Sequence, residues 1–464
     1  MSATVPPTRT LSIVNHIRQR IEARALTPGA KLPSVRKMAA DRGVAPSTVV
    51  EAYERLAGEG LIQARPGSGF YVAGPLAPLT LKRVGAPPAR EIDPVWMLRQ
   101  SLENRDHTLM PGCGWLPDDW LAGETLRKAL KRLTRPDQEG NFSGYASPLG
   151  LFKLRLLLAR RLAEQGLDAS PDHILLTDSG TQALDLICRF FLQPDDCVLV
   201  DDPCYFNFLA LLRAHRVKII GVRMTPNGPD LSQFEALATQ YRPRLYLTNS
   251  GCHNPTGASL NAATAHRLLK LAALHDMVVV EDDIFADFET TPAPRLAAYD
   301  GFERVLRIGS FSKSLSASLR CGHLAARADW IEALADLRIA TSLSGSPLAA
   351  ELLHTVLTDG SYRRHLETIR VRLAKSMARV IRRLRQAGLT PWLEPEAGLF
   401  LWAKLPQGVE AKALARQALA EDIVLAPGPV FSPHGGWQDY LRFNVAMSDD
   451  DRLSSFLHRA MGHG

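Results

Sequence analysis

The first 74 residues follow a helical hydrophobic pattern and then change to short alternating segments. Apolar residues recur every four positions over residues 8–24, which predicts a helix with isoleucines along one face. Two further helices are predicted, one over residues 34–43 and one over residues 45–60, each closed by a glycine. Residues 61–74 contain two short strand-like runs around a Pro-Gly-Ser-Gly turn. Three short helices followed by a hairpin predict a winged helix-turn-helix.

From about residue 110 the pattern becomes an alternation of short apolar runs and helix-like stretches. This alternation predicts an α/β fold with a mostly parallel sheet covered on both faces. Ligands of such sheets bind at the carboxyl ends of the strands, so the polar residues after each run are candidates for a site. The runs are CVLVDDP (197–203), VKIIGV (217–222), RLYLTNS (244–250), MVVVEDD (277–283) and RVLRIGS (304–310).

A proline-rich stretch separates the two patterns. Residues 74–94 are rich in proline and have no hydrophobic periodicity, as is typical of a stiff, extended spacer. We therefore predict three regions: a winged helix-turn-helix over 1–74, a linker over 75–109 and a larger domain over 110–464.

Composition limits the class of protein. The 464 residues are 46% hydrophobic and 22% charged, as in globular proteins of more than one domain. No apolar run approaches the roughly 20 residues that span a bilayer, and the N-terminus lacks a secretory signal. Six cysteines are scattered singly, which predicts reduced thiols in a cytoplasmic protein without a structural metal site.

Charge is distributed unevenly between the two patterns. Residues 1–74 hold ten Lys/Arg and five Asp/Glu, so they contribute about +5 to the net charge of +7. A small basic module joined to a nearly neutral body indicates double-stranded DNA bound at one end, although a solvated basic surface gives the same count.

The strand ends carry the groups that a phosphorylated pyridine aldehyde requires. Such a cofactor needs a lysine amine for a Schiff base, an acid beside its pyridinium nitrogen, phosphate donors and a ring for stacking. An amino-acid ligand also needs an arginine fork for its carboxylate. Each residue has an ordinary explanation when taken alone, and Ser179 is equally typical of a plain helix cap. The candidates are Lys313 as the amine, Asp282 as the acid, Ser179, Gly180, Thr181, Ser310 and Arg320 at the phosphate, Tyr205 as the ring, Asn254 as the donor to the phenolic oxygen, and Arg442 for the carboxylate.

The segment GSFSKSLSASLR admits a second chemistry. Ser310 and Lys313 form an S-x-x-K, which also begins the serine-nucleophile motif of β-lactamases and penicillin-binding proteins. That site needs S-D-N and K-T-G partners, and neither triplet occurs in the chain. The serine-hydrolase interpretation is therefore rejected.

Two families match these motifs. Residues 110–464 resemble a fold-type I, class I aminotransferase, with a mostly parallel large domain and a small C-terminal α+β domain. Residues 8–73 resemble a GntR-type winged helix, and the combination resembles the MocR family of transcription regulators. The motifs are YASPLG, SGTQAL, DPCY, HNPTG, DDIF, SFSK and LRF in the larger part, and LPSVRKMA, GVAPSTVVEAYERLAGEGLI and RPGSGFYV in the smaller.

The resemblance implies a role for each matched residue. It implies a Schiff base between Lys313 and pyridoxal 5'-phosphate, and a homodimer in which Tyr145 reaches the phosphate of the neighbouring subunit. It implies that the other candidates bind the parts of the cofactor assigned to them above. It also implies that Arg442 binds the carboxylate of an amino-compound effector. In the smaller domain it implies DNA contacts at Arg36, Ser47, Thr48, Arg65, Gly67 and Gly69.

Three positions depart from the family patterns, and one of them, Ala317 in place of a proline common in the lysine loop, is expected to have a minor effect. Phe285 stands where aminotransferases usually carry a tyrosine that hydrogen-bonds the phenolic oxygen of the cofactor, which puts transamination in doubt. Pro46 replaces an arginine frequent at the start of the recognition helix, so one DNA contact is lost. We therefore expect a regulator that senses an amino compound or pyridoxal phosphate itself; the alternative is an active aminotransferase with a DNA-binding module.

Overall fold

The chain divides into two compact units, residues 1–90 and residues 91–464. The structure, a computed structural model, describes residues 8–23, 25–26, 29–73, 92–102, 107–135 and 143–462. Among the described residues, no helix is long and apolar enough to cross a membrane.

The first unit is the predicted winged helix-turn-helix. Ser34 caps the second helix by accepting from the Lys37 N–H, and Gly43 ends it in the left-handed conformation, with φ of 62°. Pro46 occupies the first turn of the third helix, where its missing N–H costs nothing. The elements are α1 (Arg9–Glu22), α2 (Val35–Arg42), α3 (Pro46–Gly58), β1 (Ile62–Arg65) and β2 (Gly69–Val72), the two strands being antiparallel.

The second unit is built on an eight-stranded sheet in the order β3-β10-β9-β8-β7-β4-β5-β6. Only β10 and β6 run against the others, so the predicted mostly parallel sheet is confirmed. The strands are β3 (Ile174–Thr177), β4 (Cys197–Asp202), β5 (Lys218–Thr225), β6 (Gly228–Pro229), β7 (Leu245–Thr248), β8 (Val278–Asp282), β9 (Val305–Ser310) and β10 (Gly322–Ala325).

Helices cover both faces of this sheet, which is why its central strands are apolar on both sides. One hydrophobic core includes Leu199, Tyr246 and Val279, and the core on the opposite face includes Val200, Leu247 and Val280. The helices of the second unit that precede its smaller part are α4 (Pro94–Leu102), α5 (Gly123–Leu133), α6 (Phe152–Ala163), α7 (Gly180–Phe191), α8 (Phe206–Ala214), α9 (Leu231–Tyr241), α10 (Ala262–Leu274), α11 (Leu296–Asp300), α12 (Ala328–Ser342) and α13 (Pro347–Thr358).

A smaller α+β part follows. Its four-stranded antiparallel sheet has the order β11-β12-β14-β13. The 26-residue helix α14 leads into it: Tyr362 and Leu366 belong to the core of the large sheet, whereas Leu373 and Leu384 belong to the core of the small one. The elements are α14 (Ser361–Gln386), β11 (Thr390–Pro391), β12 (Phe400–Lys404), α15 (Ala411–Ala420), β13 (Ala426–Pro427), β14 (Tyr440–Asn444) and α16 (Asp451–Ala460).

The end of the predicted linker differs from the structure. Ile92 and Met97 are buried in the core of the second unit, and α4 packs there with α8. Residues 92–102 therefore belong to that unit, because the amphipathic helix α4 has an apolar face that is buried there. Residues 74–91, which include the first part of the predicted linker, lie outside the described residues.

Candidate functional site

The predicted site residues follow strands that point the same way. Asp282 ends β8 and Ser310 ends β9, while Asn254 and Tyr205 come after β7 and β4. Since β4, β7, β8 and β9 are parallel, these residues lie at one edge of the sheet. Asp282, Arg442 and Arg320 lie close enough to Lys313 to influence the pKa of its amine.

Lys313 is a half-buried amine with an altered proton affinity. Burial lowers its pKa to about 8, and the neighbouring Arg442 acts in the same direction, while Asp282 opposes them. Its Nζ lies 5.7 Å from the ring centroid of Trp115. The neutral, nucleophilic amine is therefore accessible near neutral pH. Trp115 was not predicted, since nothing in its local sequence marks it.

Asp282 and Asp283 are both buried but differ in their partners. Burial raises the pKa of Asp282 to about 7, although hydrogen bonds from the Ile284 N–H, 3.2 Å from its Oδ1, and from Asn249 act in the opposite direction. Burial also acts to raise the pKa of Asp283, but Arg295 and Arg307 together lower it. Arg295 Nε lies 2.8 Å from Asp283 Oδ1, and Arg307 pairs with Oδ2. Asp283 is therefore committed to structural ion pairs, and Asp282 is the acid available to a ligand.

Arg442 is fully buried on β14 and already has protein partners. Its Nη1 donates to Asn254 Oδ1 at 2.7 Å, and its Nη2 donates to the Gly112 carbonyl oxygen at 2.5 Å. Burial lowers its pKa to about 10. Its guanidinium also lies 4.6 Å from the ring centroid of Phe400 and 4.8 Å from that of Phe431. A carboxylate that binds Arg442 therefore competes with these two oxygen acceptors.

The start of α7 combines a helix cap with an exposed hydroxyl. Ser179 Oγ accepts from the Gln182 N–H at 3.0 Å, as the capping interpretation predicts. Gly180 begins the helix close to the sheet, because a Cβ there would lie 3.3 Å from Ile308 Cγ2. Thr181 is exposed and accepts a 3.4 Å bond from Asn207 Nδ2, which adds an unpredicted amide to this corner. Helix N-termini of this kind bind phosphate.

The remaining phosphate candidates lie in the lysine loop. Ser310 Oγ donates to Ser312 Oγ at 3.1 Å and accepts from the Ser312 N–H at 3.2 Å, so its orientation is defined. Arg320 is exposed and has a left-handed backbone, with φ of 49°.

Three aromatic residues differ in their relation to the site. Tyr205 precedes α8, and burial raises its pKa to about 12, with Arg442 and Asp282 among its charged neighbours. Phe285 is buried edge-on to Phe400, with centroids 5.3 Å apart, and its ring donates no hydrogen bond. Tyr145 is 82% exposed in the single chain. Its contact with a neighbouring subunit stays a prediction.

The predicted DNA-contacting residues lie on two surfaces of the first unit. Arg36 on α2 and Ser47 on α3 are exposed, and Thr48 is half-buried. Arg65 ends β1, and Gly67 and Gly69 shape the turn with φ of 68° and 104°.

Two further residues join the hairpin. The Arg65 guanidinium lies 4.4 Å from the ring centroid of Tyr71, and Lys31 Nζ lies 5.8 Å from the same ring. The Tyr71 hydroxyl is 2.6 Å from Ser68 Oγ. Lys31 and Tyr71 were not predicted, because Lys31 reaches Tyr71 only through an antiparallel bridge between distant segments. We call Lys31, Arg65, Ser68 and Tyr71 the wing cluster.

Comparison with known proteins agrees with both units. Residues 114–459 match the family model for aminotransferases of class I and II. The chain belongs to this aminotransferase family. Residues 9–72 match the model for bacterial regulatory proteins of the gntR family. The two matches confirm the architecture, typical of MocR-type proteins, that the sequence motifs predicted.

Similar proteins share this arrangement along their length. The chain is 29% identical to the uncharacterized HTH-type transcriptional regulator YdcR of Escherichia coli, covering 95% of each chain. It is 25% identical to the HTH-type transcriptional regulator NorG of Staphylococcus aureus, covering 92% of this chain and 98% of NorG.

Among solved structures, LysN is similar to the second unit. LysN, the α-aminoadipate aminotransferase of Thermus thermophilus in complex with N-(5'-phosphopyridoxyl)-L-leucine, is 27% identical, with a TM-score of 0.72. The match covers 79% of this chain and 94% of LysN. The fold is also that of Pyrococcus horikoshii kynurenine aminotransferase, which is 24% identical over 81% of this chain and 94% of its own, with a TM-score of 0.73.

Proposed function

We propose that this protein is a DNA-binding transcription regulator that holds pyridoxal 5'-phosphate at Lys313 and senses an amino compound or the cofactor itself. The observation that carries the proposal is that Lys313 and Asp282 lie close enough to influence each other's pKa at the carboxyl edge of the sheet, in one chain with a winged helix. An amine with a pKa of about 8 and a buried acid with a pKa of about 7 are suited to a pyridine aldehyde. The regulator names of the full-length relatives and the phosphopyridoxyl ligand of LysN support the same function.

The residues present fit each part of the cofactor. Lys313 would bond the aldehyde carbon, and Asp282 would pair with the pyridine nitrogen, since Asp283 is taken by Arg295 and Arg307. The donor set for the phosphate would be Ser179, Gly180 and Thr181 at the start of α7, together with Ser310 and Arg320. Tyr205 would stack on the ring. Asn254 would donate from Nδ2 to the phenolic oxygen, because its Oδ1 already accepts from Arg442.

The chain's own residues determine what a ligand changes. When bound, the cofactor supplies an electrophilic aldehyde that captures primary amines. Asp282 would hold a proton at the ring nitrogen, and Lys313 Nζ, 5.7 Å from the ring centroid of Trp115, would be the amine that faces the aldehyde. A ligand carboxylate competes for Arg442 with the oxygens of Asn254 and Gly112. Binding an amino acid would therefore change the partners of Lys313 and of Arg442 together.

Regulation would follow from a change in populations of two states. An amine that binds one of the two arrangements more tightly shifts the protein toward that arrangement. If the two arrangements also differ in operator affinity, the amine changes operator binding, and the operator changes amine binding by the same coupling free energy. A homodimer would present two winged helices to paired half-sites, as dimeric helix-turn-helix proteins do. The 82% exposure of Tyr145 is compatible with a role at a subunit interface.

Spectroscopic titration tests cofactor binding. The purified full-length chain should gain a visible absorbance band with pyridoxal 5'-phosphate, and the band should shift with an amine that the site accepts. Lys313→Ala should abolish the band, whereas Lys153→Ala, which removes a lysine ion-paired with Glu351, should retain it. Absence of the band in the unmodified protein would refute the cofactor proposal.

Operator binding tests the sensor function. DNA fragments selected by the full-length chain should be bound with different affinity when the cofactor or an effective amine is present. We expect a change of about five-fold or more, corresponding to about 1 kcal/mol of coupling. Equal affinity under all conditions would reject sensing while leaving DNA binding intact.

A second candidate is aminotransferase activity, favoured by the likeness to LysN. Phe285 opposes it, because a phenyl ring cannot hydrogen-bond the phenolic oxygen and its neighbour Phe400 is apolar. Sustained conversion of an amino donor and a 2-oxo acid, lost in Lys313→Ala, would support this alternative.

A further inference from the structure

The residue directly after Lys313 is held by side chains from distant elements. Ser314 is fully buried, and its Oγ lies 2.6 Å from the Tyr362 hydroxyl and 3.3 Å from Asp287 Oδ2. Its backbone oxygen accepts a 2.9 Å hydrogen bond from His365 Nε2. Both the side chain and the carbonyl of Ser314 are thus tied to residues outside the lysine loop.

Asp287 is itself fixed by a half-buried cation, Arg161. Arg161 Nη2 donates to Asp287 Oδ1 at 2.8 Å, and the Tyr362 hydroxyl donates to Oδ2. The Arg161 guanidinium also lies 5.4 Å from the ring centroid of Tyr362 and 5.6 Å from that of Phe311. Burial acts to lower the pKa of Arg161, but Asp287 outweighs it and raises that pKa, so the guanidinium remains charged. We call Ser314, Tyr362, His365, Asp287 and Arg161 the anchor cluster.

Helix α14 connects this cluster to the smaller part of the unit. Tyr362 and His365 lie in its first two turns, and Arg370 donates from Nε to the Asp287 carbonyl oxygen at 2.9 Å. Further along, Leu373 and Leu384 pack in the core that also contains strand β14, the strand that carries Arg442. One continuous helix therefore touches both the lysine loop and the core around Arg442.

We propose that Tyr362 and His365 are positioning residues that hold Lys313 through Ser314, and that α14 thereby connects the position of this lysine to the part of the protein that carries Arg442. Removing either hydrogen bond frees one side of Ser314, so the loop moves outward and Lys313 becomes hydrated. The use of this connection in ligand sensing rests on the proposed function, whereas the positioning of the amine does not require a bound cofactor.

The proton affinity of Lys313 reports this positioning. The charged or titratable groups that act on its amine are Arg442, Asp282, Cys113 and Arg320, and none of them belongs to the anchor cluster. Burial is the largest influence on its pKa. A change in the anchor cluster therefore reaches the amine through the position and hydration of the loop.

The test measures acetylation of Lys313 as a function of pH in the full-length chain, after hydroxylamine has removed any bound aldehyde. Peptide mass spectrometry gives the pH of half-maximal rate, which should be about 8 in the unmodified protein. Tyr362→Phe keeps the ring over Arg161 but removes the hydroxyl, and His365→Leu removes the donor to Ser314. Each should raise the midpoint by about one pH unit, toward the ordinary value of lysine.

Two variants serve as controls. His365→Gln retains an amide donor in place of Nε2 and should keep the original midpoint. Tyr53→Phe removes a buried tyrosine hydroxyl, which donates to the Pro33 carbonyl oxygen at 2.8 Å in the first unit, and should leave Lys313 unchanged. Unshifted midpoints in folded Tyr362→Phe and His365→Leu would overturn the proposal. If Tyr362→Phe does not fold, the comparison of His365→Leu with His365→Gln decides. Because no cofactor is present, this outcome is distinct from a failure to bind pyridoxal phosphate.

Discussion

Asp282 and Asp283 show how tertiary surroundings divide the roles of two identical neighbours. Alternation along β8 and the turn after it place Asp283 between Arg295 and Arg307 and leave Asp282 facing the site. The sequence motif DDIF assigned the cofactor role to Asp282 by resemblance to a family, and that role stays a prediction. The two aspartates differ in pKa because Arg295 and Arg307, which lie 12 and 24 residues after Asp283 in the chain, pair with Asp283 rather than with Asp282. The folding of the sheet brings these arginines to Asp283.

The raised pKa of Asp282 predicts a pH-dependent stability. A carboxyl whose folded-state pKa is about 7, above its ordinary value of 3.8, contributes most below pH 3.8, and this contribution is lost as pH rises through 7. Asp282→Asn removes the titrating group while keeping a polar side chain. The substitution should therefore change the free energy of unfolding of the cofactor-free protein more favourably at pH 8 than at pH 4. The difference between the two effects should be about 1 kcal/mol or more. Denaturant unfolding at both pH values measures this.

Asp300 offers a matched control for that measurement. Its Oδ2 accepts backbone N–H groups of Arg304 and Val305 at 2.6 and 2.8 Å, far from the site along the sheet. Asp300→Asn keeps an acceptor oxygen for these N–H groups but removes the negative charge that strengthens the bonds, so it should be destabilising at pH 8. An Asp282→Asn variant with the same relative stability at pH 4 and pH 8 would contradict the assigned burial of Asp282.

At the scale of elements, the wing hairpin gains its cations from two places in the chain. Arg65 belongs to β1, whereas Lys31 comes from the segment before α2 and lies beside β2. Tyr71 lies against both cations and binds Ser68, so the wing cluster presents two positive charges on an ordered surface. Such a surface fits the DNA phosphate backbone.

Salt dependence tests the wing cluster. Lys31→Ala and Arg65→Ala should each weaken DNA binding for specific and unrelated sequences alike. Each should also reduce the slope of log affinity against log salt by about one, because one phosphate contact is lost. Fluorescence anisotropy over a range of salt concentrations measures both quantities.

The control for the wing cluster removes a cation elsewhere in the same unit. Arg18 on α1 pairs with Glu59 at 2.7 Å, so Arg18→Ala should leave the salt slope nearly unchanged. An unchanged slope in Lys31→Ala would exclude Lys31 from the DNA-binding surface.

At the scale of the whole molecule, the two units have separate cores. The described core of the first unit is drawn from residues 13–70, and the three described cores of the second unit are drawn entirely from residues 92–461. Because each unit buries its own apolar surface, each is expected to unfold as a separate cooperative element.

Calorimetry should therefore show two unfolding transitions in the full-length chain. Pyridoxal 5'-phosphate should raise the midpoint of the larger transition only, since a ligand stabilises the element that binds it. An excess of about 100 times its dissociation constant should add about 2.7 kcal/mol. Lys313→Ala should show both transitions with little response to the cofactor, and a single transition in the unmodified chain would contradict separate unfolding.

The hydrophobic pattern by itself determined the order of elements: three helices and a hairpin, then strands that alternate with helices. These features follow from periodicities of 3.6 and 2, which are local properties of the chain. The residues after β4, β7, β8 and β9 were predictable for the same reason, because parallel strands must end at one edge. Their roles as cofactor and DNA contacts remain predictions.

Only the tertiary structure decided the partners of these residues. Arg442 binds the carbonyl of Gly112, 330 residues earlier, and Ser314 meets Tyr362 and His365 from a helix about fifty residues later. Such contacts depend on how the helices and the two sheets of the second unit pack, and no local pattern encodes them. Burial likewise sets the pKa values of Lys313 and Asp282, because the cost of a charge depends on everything that displaces water around it.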